Sequence, residues 1–271
     1  MVMATGRELI RGMALEAGFV RARFLAPFEP LAGVPAGRGQ GSPSLLTVAL
    51  SYGSRFDCPD EVPPPGSGVI APFARRNYYR EAVKRLQGIA AALRVRFGGR
   101  KSGFQILCNS PVPEKPLALA SGLGVLGRNG LVLTEEAGSL VILAAMTLPF
   151  TLEGDEPYPS LAGGGFPFCT VCAAEGLDAL PCRAACPTGA LNGDGSMNAA
   201  RCIQWYASGK GEAVPPLVRE RWGNRLYGCT ACQDVCVYNR RFIAGTESAE
   251  GPLPAFTGCR ELLALDDGEL R

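Results

Sequence analysis

The 271-residue chain contains no histidine. That removes the commonest general base and the commonest nitrogen ligand for zinc, copper or haem, so any metal held by this chain is bound mainly through sulfur or oxygen. Long apolar runs are also missing. The longest, Ser139 to Phe150 (SLVILAAMTLPF), is far short of the roughly 20 residues that cross a bilayer and reads as a buried strand. The first twenty residues, MVMATGRELIRGMALEAGFV, alternate charged and apolar groups at helical spacing and lack the apolar stretch of an export signal. A cytoplasmic protein with no membrane partner is expected. An excess of one charge is absent too: 27 Lys and Arg stand against 25 Asp and Glu, which leaves no chain-wide footprint for nucleic acid.

What the chain does have is glycine, proline and cysteine. Thirty-five glycines and 22 prolines predict a loop-rich architecture around a core drawn from the 47% of residues that are apolar. Eleven cysteines without an export signal point away from disulfides and toward thiolate metal sites or thiol chemistry.

The first half reads as mixed α and β. Residues 5 to 18 have the pattern of an amphipathic helix, with Thr5 as a candidate cap and Glu8 three residues on. A Gly- and Pro-rich stretch, 31 to 43, leads into a buried strand at Ser44 to Tyr52. The clearest helix is YYREAVKRLQGIAAALRVRF, Tyr78 to Phe97, stopped by Gly98 and Gly99. Strands are expected at Phe104 to Cys108, Leu131 to Thr134 and Val141 to Thr147, with a short helix at Pro116 to Ala120. Around GDEPYPSLAGGG the pattern breaks. The division expected is an α/β domain over 1–160, a cysteine-organised domain over 161–245, and a C-terminal tail over 246–271 that is helical or partly mobile.

Eight cysteines form a spaced constellation. CTVC supplies Cys169 and Cys172, CRAACPTGAL supplies Cys182 and Cys186, Cys202 stands sixteen residues further on, and CTACQDVC supplies Cys229, Cys232 and Cys236. CxxxCP followed by TGAL is the bacterial ferredoxin idiom, in which the cysteine before proline ligates the other cluster of a pair. Counted so, Cys169, Cys172, Cys182 and Cys236 hold one 4Fe-4S cluster, and Cys186, Cys202, Cys229 and Cys232 hold the other. The alternative is a pair of four-cysteine zinc sites, which use similar CxxC spacing. The ferredoxin run is interrupted here, because AAEGLDALP separates Cys172 from Cys182.

The cysteine half, together with ARRNYY, NSPVPEKPLALASGLGVLGRNGLVL and AGSLVILAAMTLPF, resembles the epoxyqueuosine reductase family, which is related to the reductive dehalogenases. The likeness runs over roughly residues 5 to 240 and takes in all eight cysteines. It implies an α+β fold, with a nitroreductase-like cobalamin-binding domain followed by a bacterial ferredoxin-like domain. It also implies an iron-sulfur oxidoreductase in which two clusters relay electrons to a base-off corrinoid that reduces an organic substrate. A corrinoid bound without a lower histidine is compatible with a chain that has none. By the same resemblance the partners are a small-molecule or modified-nucleoside substrate and an electron donor such as ferredoxin or flavodoxin. The family's tRNA-modifying enzyme has a further helical domain after the clusters. This chain ends about thirty-five residues past Cys236, so tRNA is not an expected partner.

Where the family's loop reads DSAPVLER, with an aspartate as proton donor, this chain reads NSPVPEK and presents Asn109, an amide that hydrogen-bonds but supplies no acid. Tyr78 or Tyr79 is the candidate replacement donor, with Arg75 and Arg76 beside them on the substrate side. The candidate corrinoid contacts are Arg75, Asn109, Gly124, Gly127, Arg128 and Asn129. Gly122 to Gly127, GLGVLG, also matches a dinucleotide fingerprint, but no strand is expected before it and no strong helix after it. Cys58, Cys108 and Cys259 are expected as small hydrophobes. The alternative function is a two-cluster electron-transfer or accessory protein with neither cobalamin nor substrate turnover.

Overall fold

A computed structural model describes residues 2–27, 43–53, 64–158, 166–174, 176, 180–209, 213–243, 253 and 256–265. Most of the expected Gly- and Pro-rich loop, Cys58, and part of the AAEGLDALP insertion lie outside them. In chain order the elements are α1 (Val2–Glu16), β1 (Arg21–Leu25), β2 (Ser44–Ser51), β3 (Ser67–Ile70), α2 (Tyr78–Phe97), β4 (Ile106–Leu107), α3 (Glu114–Ala120), β5 (Val125–Leu126), β6 (Val132–Leu133) and β7 (Val141–Leu148). There follow α4 (Thr170–Ala174), α5 (Pro181–Ala184), α6 (Ile203–Ala207), α7 (Pro216–Glu220), β8 (Arg225–Tyr227), α8 (Ala231–Asp234), α9 (Arg240–Ile243), β9 (Phe256–Gly258) and α10 (Cys259–Ala264). No helix among the described residues is long and apolar enough to cross a membrane.

The chain folds as two compact units that are discontinuous in sequence. The first comprises 1–51, 78–127 and 131–168, the second 52–77, 128–130 and 169–271. In the first, an antiparallel sheet runs β1-β2-β7-β4, with Leu46 opposite Met146 and Val48 opposite Ala144. Its middle strand β2 is buried on both faces except at Ser51, which is why SLLTVALS reads as an unbroken apolar run and not as an alternating one. Helix α2 buries Tyr78, Ala82, Leu86, Ile89, Ala90 and Leu93, a stripe at helical spacing, and packs on β7. Helix α3 packs on β7 and β2, closing a core of Leu45, Leu107, Val112, Leu117 and Ala145. Pro116 fits α3 because first-turn N–H groups have no intrahelical partner to lose.

Three details differ from the sequence expectation. Helix α1 begins at Val2, so Thr5 lies inside it; nothing in Val2, Met3 and Ala4 breaks a helix, and the chain simply continues one turn further back. β1 was not expected, because RARFL carries two arginines, yet those alternate with the buried Ala22 and Phe24. Phe104 to Cys108 forms only the two-residue strand β4.

The second unit has a small sheet, β8-β3-β9, in which β3 pairs in parallel with β8 and antiparallel with β9. β9 falls within the segment expected as a tail. Gly68 in β3 leaves room for Leu226, since a Cβ there would lie 2.2 Å from Leu226 Cγ. The remainder of this unit is short helical turns around cysteine.

Candidate metal centre

All eight spaced cysteines fall in the second unit, on turns and helix ends, and none is fully exposed or fully buried. Cys169 closes a 3-10 turn, Pro167–Cys169, that leads straight into α4, where Cys172 sits. Proline at the first position of α5 starts a four-residue helix holding Cys182. The chain then folds back so that the Cys186 N–H donates to Arg183 O at 3.2 Å, and the Gly189 N–H donates to Cys186 O at 3.1 Å. Gly189, at φ +60°, makes that CPTGAL turn possible. Cys202 is the N-cap residue of α6, and the next residue but one, Gln204, accepts the Cys229 N–H on Oε1 at 3.0 Å. That bond carries the solitary cysteine to the CTACQDVC segment. Within CTACQDVC, Cys232 lies in α8 and the Cys236 N–H donates to Gln233 O at 3.1 Å. Buried Gln233 pairs with the Tyr52 hydroxyl and accepts on its carbonyl from Asn239 Nδ2 at 3.0 Å.

The charges of these thiols act on one another within the two expected ligand sets and, at one place, between them. Burial raises the Cys182 thiol to about 11, and the charges of Cys169, Cys236 and Cys172 act on it in the same direction. Burial raises Cys169 too, opposed by the Arg128 N–H and reinforced by Cys236. In the other group, burial raises Cys229 and the Ala231 N–H opposes, while Cys202 and Cys186 add to the rise. Cys232 is pushed far up, by burial first and then by Cys229, Cys182, Cys202 and Cys186. Cys182 thus feels Cys169, Cys236 and Cys172, whereas Cys232 feels Cys182 as well as Cys229, Cys202 and Cys186, in keeping with the packing of α5 on α8. Mutual repulsion of this kind is what a shared cationic centre relieves.

Backbone N–H groups point at the sulfurs. Ala190 N lies 3.2 Å from Cys186 Sγ, and the Thr188 hydroxyl 3.7 Å from it. Although burial works against it, these donors and the Leu191 N–H hold the Cys186 thiol below its ordinary value. The N–H groups of Asn239 and Tyr238 serve Cys236 in the same way against a net rise caused by burial. Among the described residues, no three Cys, Asp or Glu side chains gather as they would around one metal ion.

The other candidate residues divide between the units. Arg75, Arg128 and Asn129 belong to the second. Arg75 is buried and donates through Nε to Ile70 O, Arg128 Nη1 donates to Gly193 O at 3.1 Å, and Asn129 is buried. Tyr78, Asn109, Gly124 and Gly127 belong to the first. Asn109 has φ +51°, the one left-handed residue other than glycine among those described. The thiol of its neighbour Cys108, raised to about 11 by burial and by Glu114, faces the carbonyls of Tyr79 and Leu143, each at 3.9 Å. The Asn109 loop therefore abuts the first turn of α2, where Tyr78 is buried and Tyr79 is 40% exposed. Gly124 has a packing reason of its own, since a Cβ there would lie 2.5 Å from Leu133 O. The GLGVLG string is preceded by helix α3 and contains β5, the reverse of the strand-turn-helix that a dinucleotide site needs. Thr188, Gln204 and the Arg128 N–H escaped the sequence reading; for the first two a polar residue two positions past a cysteine was the signal available, and for Arg128, 41 positions from Cys169, there was none.

Residues 168–239 match the family described as 4Fe-4S double cluster binding domain. An epoxyqueuosine reductase of Bacillus subtilis is 30% identical over 232 residues, covering 84% of this chain and 56% of that protein. The structure of epoxyqueuosine reductase from Streptococcus thermophilus superposes with a TM-score of 0.73 at 21% identity, covering 97% of this chain and 74% of that one. An epoxyqueuosine reductase crystallised with an epoxyqueuosine-modified tRNA-Tyr stem loop gives a TM-score of 0.74 at 24% identity, over 99% of this chain and 75% of the other. The chain spans about half the length of the curated relatives it matches. The mixed α and β fold expected from sequence is the fold these structures share. This chain is thus similar to the epoxyqueuosine reductases, and its residues 168–239, which carry all eight spaced cysteines, match the 4Fe-4S double-cluster family.

Proposed function

We propose that the chain is an iron-sulfur oxidoreductase. In this reading Cys169, Cys172, Cys182 and Cys236 hold one 4Fe-4S cluster, Cys186, Cys202, Cys229 and Cys232 the other, and the pair relays single electrons to a base-off cobalamin. The observation that carries it is the match of residues 168–239 to the 4Fe-4S double-cluster family, joined by backbone N–H donors aimed at the Cys169 and Cys186 sulfurs that stabilise negative charge there. A tetrahedral zinc site asks for four sulfurs at about 2.3 Å from one ion. A cube of iron and sulfide takes thiolates set wider apart.

A corrinoid, when bound, would supply a strongly reducing centre for an organic substrate. A chain without histidine fits the form that needs no protein imidazole below the cobalt. The residues proposed to hold it are Arg75, Asn109, Gly124, Gly127, Arg128 and Asn129, with Tyr78 or Tyr79 as proton donor. Asn109, whose amide carries no acidic proton, favours a second reading: a two-cluster electron-transfer protein with no substrate. One experiment separates them. The anaerobically purified protein is titrated with cobalamin and followed by absorption. The oxidoreductase reading expects stoichiometric binding at micromolar concentration with the spectral shift to the base-off form; no binding there leaves the electron-transfer reading. The substrate is proposed to be a small molecule or modified nucleoside, and the electron source a ferredoxin or flavodoxin.

A further inference from the structure

The turn that carries Cys186 and the segment that carries Cys202 are tied together through the backbone. Leu191 bridges Met197, and the Asn198 N–H donates to Ala190 O at 2.8 Å. Arg201 lies over the CPTGAL turn, where a Cβ on Gly189 would meet its Nη2 at 3.5 Å. Arg183 lies against the adjoining loop, with its Cδ 3.6 Å from where a Gly193 Cβ would be. Trp205, one helical turn beyond Cys202, donates its backbone N–H to Cys202 O at 3.1 Å and is 39% exposed; Met197 is 37% exposed. A partly exposed indole and thioether thus lie on the same tied segments as two guanidiniums.

The charge of this region tells what would cover it. The described residues between 180 and 243 include seven arginines against three acids, Asp194, Glu220 and Asp234, although the whole chain is nearly neutral. Asp194 is tied up by the N–H and hydroxyl of Ser196, at 2.9 and 2.6 Å.

We propose that Arg183, Met197, Arg201 and Trp205 form the docking face for a small acidic one-electron carrier protein, which delivers its electron to the cluster of Cys186 and Cys202. The proposal rests on the cluster reading above. Electron transfer weakens steeply with distance, so an entry face belongs over ligand-bearing backbone, and here the exposed aromatic and the arginine flank Cys202 itself. Opposite charge steers the carrier in, and the indole and thioether supply the desolvated centre that interfaces favour. The step is a single electron transfer: the carrier is oxidised by one electron, the cluster is reduced by one, and no bond forms or breaks.

The test uses the complete chain with its clusters, mixed anaerobically by stopped flow with photoreduced flavodoxin and, separately, with dithionite. Expected are a second-order rate with flavodoxin that falls steeply with added salt, a loss of tenfold or more in Arg201→Glu and in Trp205→Ala, near-normal rates in Arg201→Lys, and unchanged reduction by dithionite in all three. Equal flavodoxin rates in wild type and variants would overturn the docking face while leaving the clusters intact. A chain that shows no cluster signal at all removes the reading beneath it, before any carrier is added. Saturable binding of a tRNA stem loop that is lost in Arg201→Glu, with flavodoxin rates unaffected, would assign the face to RNA and overturn the proposal.

Discussion

The backbone N–H of Arg128 donates to the sulfur of Cys169 at 3.4 Å, across 41 positions of sequence. With the bond from Arg128 Nη1 to Gly193 O, it explains why the three residues Arg128–Gly130 group with the cysteine unit although the chain on both sides does not. A donor on a ligand sulfur stabilises the extra negative charge of a reduced cluster and so raises its potential. Arg128→Ala keeps that N–H and removes only the guanidinium, whose charge also favours thiolate at Cys169, so it is expected to lower the midpoint of the proposed cluster at Cys169 less than Arg128→Pro does. Arg128→Pro removes it and is expected to lower the midpoint, read by potentiometric titration of the reduced-cluster EPR signal.

The grouping of the thiols sets a second expectation. Cys236→Ser should remove or damage the cluster shared with Cys169, Cys172 and Cys182, and spare the other, so that iron falls from about eight to about four per chain. Cys202→Ser should spare the cluster that Cys236→Ser destroys. Measured by iron content and EPR of each variant, the reverse pattern would show that the two ligand sets are exchanged.

Asp155 holds the first unit together at one point. It pairs with Arg7 and Arg11, lies 3.5 Å from Arg23 Nε, and accepts the Phe24 N–H at 2.8 Å, which pins the extended segment around it to β1. Burial tends to raise its carboxyl. The hydrogen bonds from Arg11 and the Phe24 N–H, with the fields of Arg11 and Arg23, outweigh that and hold it below the ordinary 3.8. A carboxyl depressed in the folded state contributes stability that is present above its unfolded value and lost as pH falls through the folded one. Asp155→Asn should therefore cost about 1–3 kcal/mol at neutral pH. The gap between wild type and variant in urea midpoint should close progressively below about pH 4.

Asn109 sits at φ +51°, a conformation that glycine adopts freely and that alanine resists by about 1 kcal/mol. Asn109→Gly should be neutral in stability and Asn109→Ala destabilising by about that amount, read from urea unfolding. If the two variants are equally stable, the loop does not hold the left-handed turn.

The sequence was most informative where a pattern is local. Tyr78–Phe97 is helical over its expected span because six apolar side chains recur at one face between clear stops. β2 and β7 follow from apolar runs too short for helices. The turns that carry the spaced cysteines were legible from spacing because turn geometry is itself local. Pairings that join distant segments were not. β3 is four residues of weak pattern, SGVI, and acquires its place from β8 and β9, more than 150 positions away. β1 was hidden by two arginines, whose neighbours in the sheet become visible only once Asp155 and Glu135 are brought to them. The packing demand at Gly124, where a Cβ would meet the carbonyl of Leu133, was likewise invisible before the fold brought β6 beside it.

The central claim is that eight cysteines hold two cubes of iron and sulfide, and its most direct test is the metal and acid-labile sulfide content of the chain purified without oxygen, with its visible spectrum before and after reduction. The account predicts about eight iron and about eight sulfide per chain, and a broad brown absorption that bleaches on reduction. A colourless protein carrying about two zinc and no sulfide would contradict it.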